Sequence, residues 1–240
     1  KTSAIVFGGY VSGGRTALTE TFNGTTWTES TGISSTPPSM DTALEAFTSG
    51  GNSTSALSVG GYTGSANVTT VEAYEGGSAW TAKTSLGTAV RANGCDGSAD
   101  NALTCGGYTT GESNVTQTWE TSGNVWTTQA DTLSYSGQAY YGGNRTNGIR
   151  VGGYGGGSWK NTAETWSYDG SGTDGTWTSI GVVSVGVERS GIAGNGTNAV
   201  WAGGWNSSFT YINTCQSWDG SSWTTQTVYP IATGSQAAGT

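Results

Sequence analysis

The residue types that most often carry catalysis are scarce in this chain of 240 residues. Histidine is absent, and eight lysines and arginines stand against sixteen acidic residues. Without histidine the chain lacks Ser-His-Asp triads, histidine general bases and the usual ligands of catalytic zinc and copper sites. The composition therefore favours a protein that is not an enzyme and that holds no cofactor and no metal.

Carboxylates recur at one position, where they could in principle do acid–base chemistry. Glu20, Glu72 and Glu164 each stand two residues before an aromatic residue, and Gln117 and Gln216 take the same place elsewhere. A catalytic acid would not be repeated in this way or replaced by an amide, so we expect buried hydrogen bonds or ion pairs. A glycosidase, the less favoured alternative, needs two carboxylates about 5–10 Å apart in a cleft, and no such pair stands out.

The cysteines and two acidic loops give only weak signals for a disulfide or a metal. Cys105 and Cys215 occupy positions that other repeats fill with small or apolar residues, so both are expected in the core. A turn near residue 98 would put Cys95 about 10 Å from Cys105, which is too far for a disulfide. The segments 96–101 and 169–175 lack the spacing and closing glutamate of a calcium loop, and Asp-Gly turns explain them more simply.

Three short markers recur in a fixed order and organise the whole chain. A Gly-Gly pair followed by Tyr or Trp begins at residues 8, 60, 106, 152 and 203, at steps of 52, 46, 46 and 51. The Glu/Gln marker follows, and then comes a tryptophan after a glycine-containing turn: Trp27, Trp80, Trp126, Trp177 and Trp223. A period of nearly 50 residues predicts five copies of one structural repeat.

Each repeat reads as four short strands, named a to d. Apolar and polar residues alternate in short runs broken by Asn-Gly, Asp-Gly and Gly-Gly pairs, which is typical of antiparallel strands joined by tight turns. In the last repeat the strands are predicted at 190–194, 198–203, 213–218 and 222–226. We expect the Gly-Gly pair to let the backbone bend or pass closely where strand b leaves the sheet. The aromatic residue after it is expected to pack between sheets.

A four-stranded repeat cannot bury both faces alone, and radial stacking of such sheets solves the problem. The sequence therefore predicts an all-β fold, a single five-bladed β-propeller domain over residues 1–240 with four antiparallel strands in each blade. The segment 232–240 resembles a strand a, and the segment 2–9 resembles its strand b. We expect these termini to pair within one blade and close the ring without an open edge. Because the chain begins at Lys1 rather than Met, we expect it to be either a processed protein or a segment of a longer one.

The Gly-Gly ending of strand b, the aromatic residue in strand c and the tryptophan in strand d resemble kelch repeats, a β-propeller family. The resemblance covers essentially the whole chain, although kelch propellers usually have six or seven blades. Repeats such as SALSVGGYTG (55–64), rich in Gly, Ser, Thr and Asn, are also similar in style to kelch-like repeats in structural proteins of marine bacteriophages. That resemblance implies a virion-surface or extracellular protein. Kelch-like enzymes that oxidise galactose use copper-binding histidines, which this chain lacks.

The aromatic residues become informative once the repeated positions are set aside. Trp159 is the one tryptophan of eleven without a repeated position, and it lies in the loop between strands b and c of the fourth repeat. The same loop of the fifth repeat carries Phe209 and Tyr211. Aromatic rings among amides and hydroxyls suit carbohydrate, and aromatic residues are also enriched where proteins meet; the alternative is that the rings fold back over the strand edges. The predicted ligand-binding residues are Trp159, Lys160, Asn161, Asn206, Phe209 and Tyr211.

The loop 31–41 is a second candidate contact element, stiffened by Pro37 and Pro38. A net charge of −8 with scattered basic residues argues against nucleic acid and anionic membranes as partners. No apolar run reaches 18 residues, so no membrane insertion is expected. Two functions remain: a module that attaches to a glycan or protein on a cell or particle surface, and a structural or decoration subunit that assembles with itself or with other virion subunits.

Overall fold

The structure is a computed structural model that describes residues 3–32, 34–76, 79–120, 122–134, 136–170, 173–228 and 230–232. All regular secondary structure in these ranges is β-strand, and none of it is a helix able to cross a membrane. The chain divides into two compact units. The first comprises Lys1–Arg91, Gly97–Ala102 and Trp119–Trp126, and the second comprises Ala92–Asp96, Leu103–Thr118 and Thr127–Thr240.

The first compact unit contains two antiparallel sheets and one small ribbon. Its strands are β1 (Ala4–Phe7), β2 (Tyr10–Val11), β3 (Gly14–Arg15), β4 (Thr19–Phe22), β5 (Trp27–Glu29), β6 (Thr48–Asn52), β7 (Ser55–Val59), β8 (Val71–Glu75) and β9 (Ala79–Ala82). The first sheet has the order β1-β4-β5, the second sheet β6-β7-β8-β9, and β2 pairs with β3.

A third sheet has residues in both compact units, and two further sheets belong to the second. The third sheet joins β10 (Gly94–Ser98), β11 (Asn101–Cys105), β12 (Thr116–Glu120) and β13 (Val125–Thr128) in that order. The remaining strands are β14 (Tyr140–Gly143), β15 (Asn147–Val151), β16 (Tyr154–Gly155), β17 (Ser158–Trp159), β18 (Thr162–Ser167), β19 (Thr176–Val182), β20 (Val187–Glu188), β21 (Gly191–Asn195), β22 (Asn198–Ala202), β23 (Trp205–Asn206), β24 (Cys215–Trp218) and β25 (Trp223–Thr225). The fourth sheet is β14-β15-β18-β19 and the fifth is β21-β22-β24-β25.

The all-β prediction and the antiparallel four-stranded sheets are confirmed. The four strands predicted for the last repeat correspond to β21, β22, β24 and β25, with boundaries that differ by no more than two residues. The first sheet has three strands among the described residues. The strand predicted at 232–240 lies, from residue 233 on, outside the described residues.

The Gly-Gly pairs give the chain a bend that other residues would not allow. Gly60 and Gly61 have φ angles of 65° and 115°, in the region that favours glycine, and the other four pairs behave alike. A Cβ atom on Gly60 would lie 2.5 Å from the carbonyl oxygen of Val90, to which the Gly61 amide donates at 2.7 Å. The pair therefore brings its backbone directly onto the segment that leads into the next repeat.

The aromatic residue after each pair does not uniformly pack between sheets as expected. Tyr10 is 65% exposed, and Trp205 is half-buried. Because the bend carries the chain out of the sheet, these rings start small ribbons, β2-β3 and β20-β23, and lie beside the guanidinium groups of Arg15 and Arg189.

Asparagine side chains build the tight turns that connect the strands. In the turn between β6 and β7, the Asn52 Oδ1 accepts hydrogen bonds from the Thr54 and Ser55 amides at 2.9 and 3.1 Å. Asn144 and Asn195 begin the equivalent turns in the fourth and fifth repeats and bond in the same way. Such Asx turns supply the local order that lets very short strands pair in register.

The strand-d tryptophans tie neighbouring sheets together. The Trp80 indole donates at 2.9 Å to the Thr19 hydroxyl of the first sheet, and its ring lies 4.6 Å from that of Phe7. In the second compact unit, Trp177 donates at 2.9 Å to the Thr116 hydroxyl. In the other repeats Val71 and Ala163 stand at the threonine position, and the buried indole nitrogens of Trp126 and Trp223 have no hydrogen-bond partner among the described residues.

Candidate functional site: an aromatic patch on two loops

The predicted ligand-binding aromatic residues meet in the second compact unit. Trp159 lies in the ribbon of β16 and β17, and its ring centroid is 5.2 Å from that of Phe209, with the two planes nearly perpendicular. Trp205 connects Phe209 (5.7 Å) to Tyr211 (6.3 Å), and Tyr154 lies 4.9 Å from Trp159 on the other side. We call Tyr154, Trp159, Trp205, Phe209 and Tyr211 the aromatic patch.

Exposure distinguishes the rings that could meet a ligand from those that support them. Phe209 and Tyr211 are 67% and 61% exposed, whereas Tyr154, Trp159 and Trp205 are half-buried. The buried Trp159 indole nitrogen has no hydrogen-bond partner among the described residues. The rings of Phe209 and Tyr211 therefore do not fold back over the strands, and Trp159 forms the base of the patch.

The loop 206–210 presents Phe209 in a costly backbone conformation. Phe209 has a φ of 57°, which costs a residue with a side chain about 1–2 kcal/mol. The Asn206 Oδ1 compensates by accepting hydrogen bonds from the Ser208 amide at 3.0 Å and from the amide and hydroxyl of Thr210 at 3.2 and 2.9 Å. The exposed ring is thus held in place before any ligand arrives.

The polar residues predicted for the site have mixed roles. The Asn206 side chain builds the loop, and the Asn161 amide donates to the Val183 carbonyl at 3.4 Å, which holds a neighbouring segment. The Lys160 ammonium bonds to the Ser158 hydroxyl at 3.1 Å, on the exposed side of the ribbon. Of these three residues only Lys160 carries a charge, and its ammonium group is available to a ligand.

A polar group beside the patch was not predicted from the sequence. The Arg189 guanidinium lies 5.2 Å from the Trp205 ring centroid, donates to Gln138 at 3.2 Å and stands 3.7 Å from Glu188. Burial raises the pKa of the Glu188 carboxyl, and Arg189 opposes that shift. Trp205 follows the Gly-Gly pair of the fifth repeat, so the sequence indicates only a repeated structural position for it. The signal that distinguishes it is that the other four Gly-Gly pairs are followed by tyrosine.

The second predicted contact element differs from its expected form. Pro37 and Pro38 are buried rather than projecting. The Ser35 hydroxyl accepts hydrogen bonds from the Thr31 and Gly32 amides at 2.9 and 3.2 Å, which folds the loop on itself. A partner would therefore meet exposed residues such as Thr36 instead of the prolines.

The recurrent strand-c carboxylates bind the segment that precedes strand a of their own repeat. Glu72 accepts hydrogen bonds from the Asp41 and Thr42 amides at 2.8 and 3.1 Å, and burial raises its pKa. Gln216 makes the same kind of contact, accepting from the Ser184 amide at 2.8 Å.

Glu164 adds an ion pair to this arrangement. Its carboxylate accepts from the Leu133 amide at 3.1 Å and the Ser134 hydroxyl at 2.7 Å, and it lies 3.3 Å from the Arg150 guanidinium. Glu20 occupies the equivalent place in β4 and is half-buried. The geometry of Glu72, Gln216 and Glu164 is that of structural acceptors.

The cysteines do not form a nucleophilic or disulfide site. All three are free, and Cys95 and Cys105 are buried. Burial raises the pKa of Cys105 to about 12, so its thiol stays protonated and unreactive at neutral pH. In the described ranges no group of three or more Cys, Asp or Glu side chains could hold a metal ion. Asp96, in one of the acidic turns, instead accepts a hydrogen bond from the Gly143 amide at 3.0 Å.

Comparisons with known proteins inform the fold alone. No protein-family model matches the chain, and no match is found among curated proteins. Among 179 matching chains of solved structures is that of YjhT, with a TM-score of 0.76 and 11% sequence identity. The match covers 99% of this chain and 84% of that chain. The chain therefore shares the fold of YjhT, built here from antiparallel sheets of up to four strands.

Proposed function

We propose that this chain is a non-catalytic binding module that attaches to a cell-surface glycan through the aromatic patch. The observation that carries the proposal is the exposed Phe209 ring, held in a strained but hydrogen-bonded loop against Trp159. An aromatic face stacks on the apolar face of a sugar, and a ring fixed in advance loses little entropy on binding. Lys160 and Arg189 lie beside the rings and supply donors for sugar hydroxyls.

The state of the titratable groups supports a binding role over a catalytic one. The buried carboxylates of Glu72 and Glu164 already accept backbone hydrogen bonds, and Cys105 is kept protonated. We infer from the net charge of −8 and the turn-rich composition that the module works outside the cell or on a virion surface. The kelch-like and phage-like style of the repeats agrees with this placement.

The proposal is tested by binding of the purified chain to a broad glycan array. Trp159→Ala should abolish binding because it removes the base of the patch. Phe209→Gly is the sharper variant, since glycine favours a φ of 57° and should keep or raise thermal stability while the ring is lost. Leu133→Ala, which truncates another exposed apolar side chain, serves as the control and should bind like the unmodified chain.

Two outcomes would overturn the glycan proposal. Equal glycan binding by Phe209→Gly and the unmodified chain would remove the patch from the site. No binding to any glycan, together with patch-dependent binding to a host surface protein, would identify a protein as the partner instead.

We also propose that the five repeats close into a five-bladed β-propeller. Two sheet faces support this. Val6 and Trp27 share a face of the first sheet and are 55% and 52% exposed, although Trp80 and its other equivalents are mostly buried against a preceding sheet. On the fifth sheet Val200 is 45% exposed, although its equivalent Ile149 is fully buried. Closing the ring would cover both faces with the kind of contact that Trp80 makes with the first sheet.

A cross-link tests ring closure. By the equivalence of repeats, Trp27 should lie against Cys215 as Trp80 lies against Thr19. A short bismaleimide should therefore join Cys215 to a Trp27→Cys variant within one molecule, and it should not join Cys215 to a Lys83→Cys control. Cys95 and Cys105 are buried and contribute little background.

The same two exposed faces favour a second candidate function, that of a structural subunit. Instead of covering each other within one chain, the faces would then stack between copies. Cross-links between Trp27→Cys and Cys215 that form only between molecules, with a mass that grows with concentration, would establish this assembly and overturn ring closure.

A further inference from the structure

A second cluster of aromatic and charged side chains lies in the first compact unit. The Arg15 guanidinium stands 5.6 Å from the ring centroid of Tyr10 and 5.0 Å from that of Tyr62. The Arg91 guanidinium lies 4.7 Å from the Tyr62 centroid. We call Tyr10, Arg15, Tyr62 and Arg91 the guanidinium–tyrosine stack. Its two tyrosines follow the Gly-Gly pairs of the first and second repeats, at the position that Tyr154 and Trp205 hold in the aromatic patch.

The stack carries one positive charge that none of the described residues neutralises. Arg15 forms an ion pair with Glu45, and its Nε atom is buried without an acceptor. The Arg91 guanidinium contacts the Tyr62 ring and forms no hydrogen bond or ion pair with the side chains or backbone of the described residues. By contrast, the Arg150 and Lys83 side chains meet Glu164 and Glu75. The Arg91 guanidinium differs from the members of these three ion pairs, although the chain has a net charge of −8.

We propose that the guanidinium–tyrosine stack binds an anionic group of a polysaccharide, a carboxylate or a sulfate ester, through Arg91. The contact with the Tyr62 ring holds the guanidinium in place, and its N–H groups can donate two parallel hydrogen bonds to an oxyanion. Tyr10, 65% exposed, offers a ring face to a neighbouring sugar. A single unpaired guanidinium suits charges spaced along a sugar chain, whereas the net charge of −8 repels a dense polyanion such as nucleic acid.

This site is separate from the aromatic patch, and its residues were not among those predicted from the sequence. The proposal therefore goes beyond the proposed function, and each can fail alone. Anion binding that survives Phe209→Gly would place the anion site outside the aromatic patch, whatever the glycan array shows for the patch, and the Arg91 variants would then assign it to the stack.

The test measures calorimetric binding of the full chain to three oligosaccharide probes at low ionic strength. Sulfated κ-carrageenan oligosaccharides and carboxylated oligogalacturonate are the two anionic probes, and uncharged agarose oligosaccharides are the control. We expect binding to at least one anionic probe, weakened by added salt, and much weaker binding to agarose. Which anionic probe binds more tightly identifies the sulfate or the carboxylate as the natural group.

Variants assign that binding to Arg91. Arg91→Gln should weaken anionic binding by about tenfold or more, because a charge-assisted bidentate contact is lost. Arg91→Lys keeps the charge without the planar fork, so it should fold normally and show an intermediate loss. Lys83→Gln changes the net charge equally at a distant ion pair and should alter binding by less than about twofold.

Three results would overturn the proposal. The first is the absence of binding to both anionic probes, and the second is equal binding of agarose and κ-carrageenan oligosaccharides. The third is an equal loss in Arg91→Gln and Lys83→Gln, which would show a diffuse charge effect instead of a site.

Discussion

Glu72 in the second sheet and Glu164 in the fourth occupy the same repeat position but have different electrostatic surroundings. Both side chains are almost fully buried and accept backbone hydrogen bonds from the segment before strand a. In register, Glu72 faces Ser58, whereas Glu164 faces Arg150. Glu72 is thus a buried acid held by two backbone amides and the Thr42 hydroxyl, and Glu164 is half of a buried ion pair.

The comparison shows that the repeat requires a hydrogen-bond acceptor at this position and not a charge. Gln216 fulfils the same requirement with a neutral amide. The carboxylate of Glu72 is desolvated, which raises its pKa, while its two amide donors and the Thr42 hydroxyl lower it. At Glu164 the charge has a partner, so removing either member of that pair leaves the other charge buried and alone.

The largest effect is expected for Glu164→Ala. This change leaves the Arg150 guanidinium buried without its counter-charge, which should lower the free energy of unfolding by about 3–5 kcal/mol. Urea denaturation followed by tryptophan fluorescence measures the loss. A loss below that of Glu72→Ala would contradict the distinction between the two positions.

A smaller effect is expected for Glu72→Ala. Here the change strips the Asp41 and Thr42 amides of their acceptor without exposing an opposite charge. The expected loss is about 1–3 kcal/mol in the free energy of unfolding. Denaturation under the same conditions measures it, and Ser53→Ala, a change in an exposed turn, is a suitable control that should leave the midpoint nearly unchanged.

The smallest effect, and the one most specific to Glu72, is a dependence on pH. Because its pKa is raised in the folded state, the unfolded chain loses this proton first as pH rises from below 4.5. The protonated Glu72 carboxyl stabilises the folded state at low pH, and this contribution to the free energy of unfolding is lost as pH rises through the folded-state pKa of Glu72. Glu72→Gln keeps an acceptor and removes the titration, so its stability relative to the unmodified chain should increase across that window. Thermal melts from pH 4 to pH 7 measure the difference, and a constant difference would contradict the assignment.

Local patterns in the sequence predicted much of the fold. The period of the Gly-Gly, Glu/Gln and Trp markers located the sheets, because turns and alternating runs depend on neighbouring residues. The positive φ angles of the Gly-Gly pairs agree with the expected bend. By contrast, the ion pair of Arg150 with Glu164 depends on the register between β15 and β18, which the sequence of the segment 147–151 alone does not predict.

The candidate site was predictable only in part, for a similar reason. Trp159, Phe209 and Tyr211 stood out because they had no repeated position, and the structure brings them into one patch with Trp205. A residue that occupies a repeated position and also contributes to a surface site, such as Trp205, is not distinguished by setting the repeated positions aside. The burial of Pro37 and Pro38 likewise depends on how the loop folds back through Ser35, which proline content does not reveal.

The forward contact of the first four Gly-Gly pairs has a consequence for biosynthesis. The Gly61 amide donates a hydrogen bond to the Val90 carbonyl, and the Gly153 amide donates one to the Val187 carbonyl. In each case the acceptor lies in the segment that leads into the next repeat. Backward contacts such as that of Trp80 with Thr19 need only residues already made. A repeat that leaves the ribosome can therefore dock on its predecessor at once, yet it stays unfinished until the start of its successor has emerged.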